Sequence, residues 1–145
     1  MGLRLRSAST GVAVAAWLLL VGCRGTADRT TGALAQAEWI VEVREGSDPA
    51  TARAPAAGDP YGPGSLEIET LRSIAAGLAP DEEVVLWKGH WNAVVGTTSG
   101  ERLRLRISVY GGFFVDEGSG KRFVVAPRDR PAWDQLWSGR RPPRG

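Results

Sequence analysis

The chain has 145 residues, with 18 lysine and arginine side chains against 16 aspartate and glutamate side chains. This length accommodates one ordinary domain and excludes a large multidomain enzyme. The single cysteine and the single histidine exclude an internal disulfide framework and metal sites built mainly from these two residue types.

The amino-terminal segment has the order of features that is typical of an export signal. Arg4 and Arg6 supply a short positive region, and residues 12–21 form an uncharged apolar run. A membrane-spanning helix needs roughly 17–25 apolar residues, so this shorter run favours a secretory leader over a permanent span. The run ends at residues 20–23 (Leu-Val-Gly-Cys), which resemble the lipobox of bacterial lipoproteins.

That resemblance implies a lipid anchor at Cys23. In this family the cysteine thiol receives a diacylglyceryl group, a dedicated peptidase cleaves the preceding bond, and the new amino terminus is acylated in many bacteria. Residues 1–22 are then the signal peptide. Arg24 stands where an aspartate tends to retain proteobacterial lipoproteins in the inner membrane, so a cell with two membranes is expected to place this protein on the outer membrane, facing the periplasm. An ordinary secretory leader with a coincidental cysteine is the alternative.

Removal of the leader changes the charge balance. Because Arg4 and Arg6 lie in the leader, the remaining chain carries 16 basic and 16 acidic side chains, a formal net charge near zero. Nucleic-acid binding depends largely on positive charge, so we expect no nucleic-acid partner. The predicted partners are the membrane, reached through the covalent lipid, and an envelope protein or glycan.

The mature chain begins with segments of simple composition. Residues 23–37 comprise Cys23, for which the resemblance implies lipidation, and a polar stretch rich in small side chains, which predicts a flexible tether with a reach of roughly 20 Å. Residues 38–44 alternate apolar and polar side chains and predict a half-buried strand. Residues 46–64 contain 4 Gly, 4 Pro and 5 Ala. We expect this segment to be a disordered loop, because it has little apolar surface to bury.

Two segments have the apolar spacing of amphipathic helices. In residues 65–78, apolar side chains recur every three or four positions and Ser65 can cap the amino terminus. A strand over residues 66–70 is the alternative. Residues 130–137 form the second predicted helix, with two tryptophans and a leucine on one face. The remaining tail, residues 139–145, is basic and is predicted to be disordered.

Five further short strands are predicted in the second half of the chain. They cover residues 83–88, 91–96, 102–110, 113–116 and 121–126. The connections between them are too short for parallel crossovers, so we expect antiparallel hairpins. The predicted fold class is therefore α+β, with a small antiparallel sheet of about five to six short strands and two short helices in a single domain over residues 38–138.

One stretch of the predicted sheet resembles a known family. Residues 84–95 (Val-Val-Leu-Trp-Lys-Gly-His-Trp-Asn-Ala-Val-Val) are similar to the beginning of Tudor and agenet domains, which are SH3-like barrels. These domains often show a Trp, a Gly, then Trp-Tyr-Pro-Ala and a Val, whereas Asn92 stands here where the Tyr-Pro begins. The resemblance favours a strongly bent sheet, in the manner of an SH3-like half-barrel, and assigns no ligand.

No group of residues has the spacing of a catalytic or cofactor site. His90 lies in a predicted turn without partners at a defined spacing, which favours a solvated side chain over a general base. Residues 116–121 lack the alternate acids of a Ca²⁺ loop. Arg122 follows them where a phosphate-binding loop has Ser or Thr. A polar hairpin turn explains the segment, and we expect no catalytic residue, no metal and no cofactor.

Aromatic and arginine side chains of the predicted sheet are the candidates for ligand binding. Arginines alternate with apolar residues over residues 102–110 and therefore share one face of the strand, where they and exposed aromatics can contact a peptide, glycan or anionic polymer. Phe113 and Phe114 are adjacent, so only one of them can face a one-sided core. The candidate ligand-binding residues are Trp91, Tyr110, Phe113, Phe114, Arg104 and Arg106. We favour the alternative in which the helix over residues 130–137 packs on the arginine face and covers it.

The predicted function is that of a membrane-anchored lipoprotein of the bacterial envelope, with a structural or protein-interaction role and no enzymatic activity. The alternative is a small module that binds a glycan, a peptide or another ligand through exposed aromatics and the arginine face. A concave patch with exposed aromatics supports the second function, and burial of all of these aromatics supports the first.

Overall fold

The computed structural model describes residues 25–82, 89–108 and 111–138. The helices in these ranges are α1 (Gly25–Leu34), α2 (Leu66–Ala75) and α3 (Arg130–Trp137). The strands are β1 (Ala37–Val43), β2 (Ala79–Asp81), β3 (His90–Thr97), β4 (Arg102–Ser108), β5 (Phe113–Asp116) and β6 (Lys121–Val124). The predicted signal peptide, Cys23, Tyr110, the predicted strand over residues 83–88 and the tail over residues 139–145 lie outside the described residues.

All six strands form one antiparallel sheet, in the order β1-β3-β4-β5-β6-β2. The predicted α+β class is therefore confirmed, and β3 to β6 follow one another as the expected hairpins. There are three helices in the described ranges rather than the two predicted. Residues 84–88, which carry part of the Tudor-like resemblance, lie outside the described residues.

The register of the central strands separates an apolar face from an arginine face. Ile107 of β4 is paired with both Trp91 of β3 and Phe114 of β5, and Phe114 is paired with Phe123 of β6. Directly paired residues share one face of a sheet. All four side chains are buried, so this apolar face is the floor of the hydrophobic core.

Helices α1, α2 and α3 cover the apolar face. Helix α3 lays Trp133 and Trp137 on it, with ring centroids 5.7 Å from Phe114 and 4.8 Å from Trp91, respectively. Helix α2 packs between α3, α1 and β1. Large apolar side chains contribute most when they are removed from water together, which is why the tryptophan-bearing helix lies on this face.

The prediction of α2 is confirmed, including its amino-terminal cap. The Ser65 side chain accepts a hydrogen bond from the Ile68 backbone N–H at 3.3 Å, which satisfies one of the donors left open in the first turn. Ile68, Leu71 and Ile74 are buried, as their helical spacing predicts. The alternative strand over residues 66–70 is excluded.

The prediction of a flexible tether through Ala37 is wrong, because Gly25–Leu34 is the helix α1. Thr30, Ala33 and Leu34 of this helix are buried against the rest of the domain. A ten-residue helix with little intrinsic propensity is marginal on its own. Its order comes from these tertiary contacts, which the local composition does not reveal.

The prediction that residues 46–64 are disordered is also wrong. Asp48 caps a 3-10 turn at Pro49–Thr51 by accepting a hydrogen bond from the Ala50 N–H at 3.0 Å. Tyr61 is buried, its hydroxyl donates to the Leu136 carbonyl, and its ring stacks on Trp137. One aromatic anchor and one capped turn thus order a segment whose remaining composition has little apolar surface.

Candidate functional site

Two of the predicted ligand-binding aromatics lie in the core. Trp91 is 3% exposed and Phe114 is 0% exposed, and both contact tryptophans of α3. Their rings are therefore not accessible to a ligand in this fold. As predicted, only one of the adjacent pair, Phe114, faces the core.

Phe113 lies on the opposite face of the sheet and is half-buried. The guanidinium of Arg122 lies 4.4 Å from the centre of its ring, a distance at which a cation and an aromatic face attract each other. This ring already has a partner within the domain. No concave patch of exposed aromatics is present among the described residues.

The arginines of β4 alternate with core residues as predicted and lie on the face away from the helices. Helix α3 packs on the other face, so the favoured alternative, in which it covers the arginines, is wrong. The reason is the distribution of apolar surface. Helix α3 carries two tryptophans and a leucine, and the face with Ile107 and Phe114 offers them the larger apolar surface, whereas the smaller cluster of Trp39 and Val94 on the arginine face is covered by Ala52.

The arginine face instead holds the loop that follows β1. The Arg102 guanidinium donates to the carbonyls of Pro49 at 2.9 Å and Ala52 at 2.7 Å. Arg104 donates to the carbonyl of Ser47 at 3.1 Å. These bonds give ordered partners to carbonyls of a segment that has no strand partner, and they fasten residues 47–52 over the sheet.

Arg106, the third arginine of β4, is engaged in a different way. Its Nε lies 2.9 Å from Oε1 of Glu117, which follows β5. The predicted pair Arg104 and Arg106 therefore does not form one open cationic surface. Arg104 borders a cleft, whereas Arg106 is neutralised by a carboxylate.

A cleft of about 490 Å³ opens beside the first half of β4. It lies between α1, the loop with Pro49 and the turn between β5 and β6. Its polar lining includes Arg29, Thr30, Glu101, Arg102, Arg104 and Asp116. Of these, only Arg104 was among the sequence candidates.

Asp116 closes one wall of the cleft with a buried carboxylate. Its Oδ2 accepts a hydrogen bond from the Thr30 hydroxyl at 2.7 Å, and its Oδ1 accepts one from the Gly118 N–H at 2.9 Å. A buried charge is tolerated when hydrogen bonds replace water. The carboxylate thereby ties α1 to the end of β5, so its role in the cleft is structural.

The Thr30–Asp116 bond is expected to stabilise the docking of α1. We expect Thr30→Val, which removes the hydroxyl at nearly constant volume, to lower the free energy of unfolding by about 1–3 kcal/mol. In a double-mutant cycle with Asp116→Ala, measured by urea denaturation, the coupling energy should be about 1.5–3 kcal/mol. Thr98→Val, at an exposed turn position, is the control and should change stability by less than about 0.5 kcal/mol. Additive effects of Thr30→Val and Asp116→Ala would contradict this role.

The residues that line this cleft come from three separate segments of the sequence. Arg29 and Thr30 belong to the segment whose composition predicts a tether, and Asp116 belongs to the segment whose composition predicts a polar turn. The one signal that pointed to the region was the alternation that places Arg102 and Arg104 on one face of β4. The convergence of the three segments depends on long-range packing, which no local pattern encodes.

The structure places His90 and the acidic residues differently from the sequence expectation or outside a metal site. His90 begins β3 and is half-buried, rather than lying in the predicted turn. Within residues 25–82, 89–108 and 111–138, no three His, Cys, Asp or Glu side chains come together in a group able to hold a metal ion. None of the helices in these ranges is both long and apolar enough to cross a bilayer.

Comparison of the chain with models of protein families, with curated proteins and with solved structures finds no match. Only the residues of this chain and their geometry therefore bear on its function. The two features that carry the most information are residues 20–23, which resemble a lipobox, and the cleft beside β4.

Proposed function

We propose that this protein is a lipid-anchored protein of the bacterial envelope that acts by contacting another envelope component, without catalysing a reaction. The observation that carries the proposal is Cys23, the single cysteine of the chain, which closes the lipobox after a charged and then apolar leader. In a cell with two membranes, the proposed location is the outer membrane, with the domain facing the periplasm.

Lipid attachment gives the physical basis of the anchoring. Each buried methylene contributes about 0.8 kcal/mol, so two or more acyl chains hold a protein stably on a bilayer. Helix α1 begins at Gly25, two positions after Cys23. The proposed anchor is therefore joined almost directly to a packed helix of the domain.

The described polar side chains support an interaction role over catalysis. Each carboxylate oxygen of Asp116 accepts a hydrogen bond from within the domain. Arg106 forms an ion pair with Glu117, and Arg102 donates a hydrogen bond to the Pro49 carbonyl of the loop. These groups are used to fasten segments to the sheet. A general base or nucleophile needs instead an accessible group with an orienting partner.

Replacement of the cysteine tests the anchor. We expect Cys23→Ser to abolish incorporation of a clickable palmitate analogue and to leave the leader uncleaved at the bond after Gly22. Intact mass spectrometry measures the acyl groups and the cleavage site together. The control is Ser99→Ala at an exposed turn, which should behave as the unmodified chain.

A second variant separates lipid transfer from cleavage. Gly22→Leu keeps the thiol but replaces the small residue at the scissile bond, so we expect a precursor that carries lipid and retains its leader. If the Cys23→Ser chain is still cleaved after Gly22, cleavage does not need the thiol, the leader is an ordinary secretory one, and the proposal is overturned.

A further inference from the structure

The first half of β4 has one uncovered edge. Strand β4 is paired with β3 from Arg102 to Ser108, but its pairing with β5 begins only at Leu105. The β5–β6 hairpin turns away at this point, which leaves a notch in the sheet beside Arg102. Arg102, Leu103 and Arg104 all line the cleft, so the edge of the strand itself forms part of the cleft surface.

The backbone of Arg102 faces this notch. The Glu117 N–H donates to the Arg104 carbonyl at 2.9 Å, which shows that Arg104 directs its peptide groups to the β5 side of the strand. Because peptide groups alternate in direction along a strand, those of Arg102, two positions earlier, point to the same side. No strand among the described residues pairs with Arg102 there. An unpaired strand edge is a template for an added strand.

The charge of the cleft favours an acidic ligand. Within the described ranges, neither Arg102 nor Arg104 forms an ion pair with a carboxylate. Their guanidiniums are held by carbonyl oxygens, which carry no net charge. Arg29 on the α1 wall is paired with Glu101 at 3.1 Å, but its side chain is 75% exposed. The lining therefore holds three arginines against the carboxylates of Glu101 and Asp116, a net formal charge of +1, and Arg102 and Arg104 place the excess positive charge on the arginine side.

The walls of the cleft come from both faces of the sheet. Helix α1 with Arg29 and Thr30 borders one side, Pro49 borders the other, and Ser119 closes the end. The volume of about 490 Å³ lies within the range of about 300–1,000 Å³ that is common for ligand sites. A strand added beside Arg102 would direct alternate side chains toward the arginine face and toward α1.

We propose that this cleft binds a short extended peptide segment with glutamate or aspartate at alternate positions. The backbone of the peptide pairs with Arg102, and its carboxylates meet Arg104 and Arg102 on the arginine face. The proposal deepens the proposed function, because it gives the chemistry of the envelope partner, and it rests on the interaction part of that function. It does not depend on Cys23.

Two hexapeptides of matched length test the charge requirement. The probe is blocked (Glu-Thr)₃, and its control is (Gln-Thr)₃, both titrated against the full chain in a neutral detergent. We expect (Glu-Thr)₃ to bind at least about tenfold more tightly at low salt, with the advantage falling as ionic strength rises. Equal affinities for the two peptides, or no binding of either, would overturn the proposal.

Hydrogen exchange tests the mode of binding. We expect (Glu-Thr)₃ to slow exchange of the Arg102 amide by at least about tenfold, because that N–H gains an acceptor from the added strand. A (Glu-Thr)₃ peptide that is N-methylated at alternate residues keeps its charge but cannot pair, and it should bind at least about tenfold more weakly. Anionic phospholipid vesicles are the competing arm. If vesicles bind the cleft and neither peptide protects Arg102, a lipid headgroup is the ligand and the proposal is wrong.

Two variants locate the site on the protein. Arg104→Gln keeps an amide donor for the Ser47 carbonyl, and Arg29→Gln changes an exposed side chain; each should weaken (Glu-Thr)₃ binding about three- to tenfold. The matched control is Arg128→Gln, at an exposed arginine outside the cleft, which should leave binding unchanged. Equal weakening by all three variants would show a general effect of charge and overturn the site. The Cys23→Ser chain should bind as the unmodified chain does, so failure of the anchor and failure of the cleft are distinguishable.

Discussion

Replacing Tyr61 with alanine is expected to lower the free energy of unfolding by about 3–5 kcal/mol. The ring is buried and stacks on Trp137, and the hydroxyl donates to the Leu136 carbonyl at the end of α3. The backbone of Tyr61 also accepts a hydrogen bond from the Ile40 N–H of β1 at 3.0 Å. A loss of this size is a large fraction of the stability of a small domain, about 5–15 kcal/mol. Urea denaturation followed by tryptophan fluorescence measures it.

The control for Tyr61 separates the ring from the hydroxyl. Tyr61→Phe keeps the packed ring and leaves the Leu136 carbonyl without its donor, so the expected loss is about 1–3 kcal/mol. Tyr61 has a positive φ of 64°, and alanine, phenylalanine and tyrosine all carry a Cβ that meets the same backbone strain. A change below about 0.5 kcal/mol for Tyr61→Ala would mean that residues 46–64 are not packed on the domain.

Gly96→Ala is the second substitution with a large expected effect, a loss of about 3 kcal/mol. A Cβ at this position in β3 would lie 2.1 Å from Cε2 of Trp39, far inside van der Waals contact. Trp39 has little room to move, because it is buried against Val94 and Ala52 with the Arg102 guanidinium 5.1 Å above its ring. The strain is therefore expected to appear as lost stability, measured by the same denaturation experiment.

Two further variants check the steric origin of the Gly96 effect. In a Trp39→Leu background the clashing ring is absent, and Gly96→Ala should then cost less than about 1 kcal/mol. Gly32→Ala in α1 has no heavy atom within 4 Å of the added Cβ, and it should raise stability by about 0.5–1 kcal/mol because alanine loses less backbone entropy in a helix. If Gly96→Ala lowers the free energy of unfolding equally with and without the Trp39→Leu substitution, the Trp39 ring is not the cause of the destabilisation.

Elements whose apolar residues recur at a regular spacing were predictable from the sequence. The alternation in β4 placed Leu105 in the core and Arg104 on the opposite face, and α3 was predicted with the bounds Arg130–Trp137 that the structure shows. In both cases local spacing and tertiary burial agree. The capping of α2 by Ser65 was predictable for the same reason, because the cap and the apolar stripe point to the same helix start.

Elements without a strong period were not predictable. Helix α1 has few apolar residues, and its order depends on Leu34 in the core and on the bond from Thr30 to Asp116. Strand β2 contains Pro80, which lacks a backbone N–H and, from the local sequence alone, indicates a break in secondary structure. It is tolerated because β2 lies at the edge of the sheet among the described strands, where it pairs with β6. Each of these depends on a partner more than 30 residues away along the chain.

The candidate site was only partly predictable. The shared face of its arginines follows from their spacing along the sequence, whereas the shape of the cleft depends on packing between distant segments. The Arg102 and Arg104 side chains could be assigned to one face from their spacing. The side of the sheet that α3 covers depends on which face presents Phe114 and Trp91, and the wrong face was favoured. The notch beside Arg102 arises because β5 stops pairing at Leu105, a difference in strand length that emerges only once the hairpins are aligned.

In the chain, only Arg24 separates Cys23 from Gly25, the first residue of α1. A folded unit of about 100 residues has a radius of gyration of about 13 Å, so the lipid anchor proposed at Cys23 would keep the cleft beside β4 within a few such radii of a bilayer. Encounter with a partner on the same bilayer would then be a search over a surface instead of a volume, which raises the effective concentration of the partner. Under that confinement, the proposed peptide-binding cleft would need only a modest intrinsic affinity.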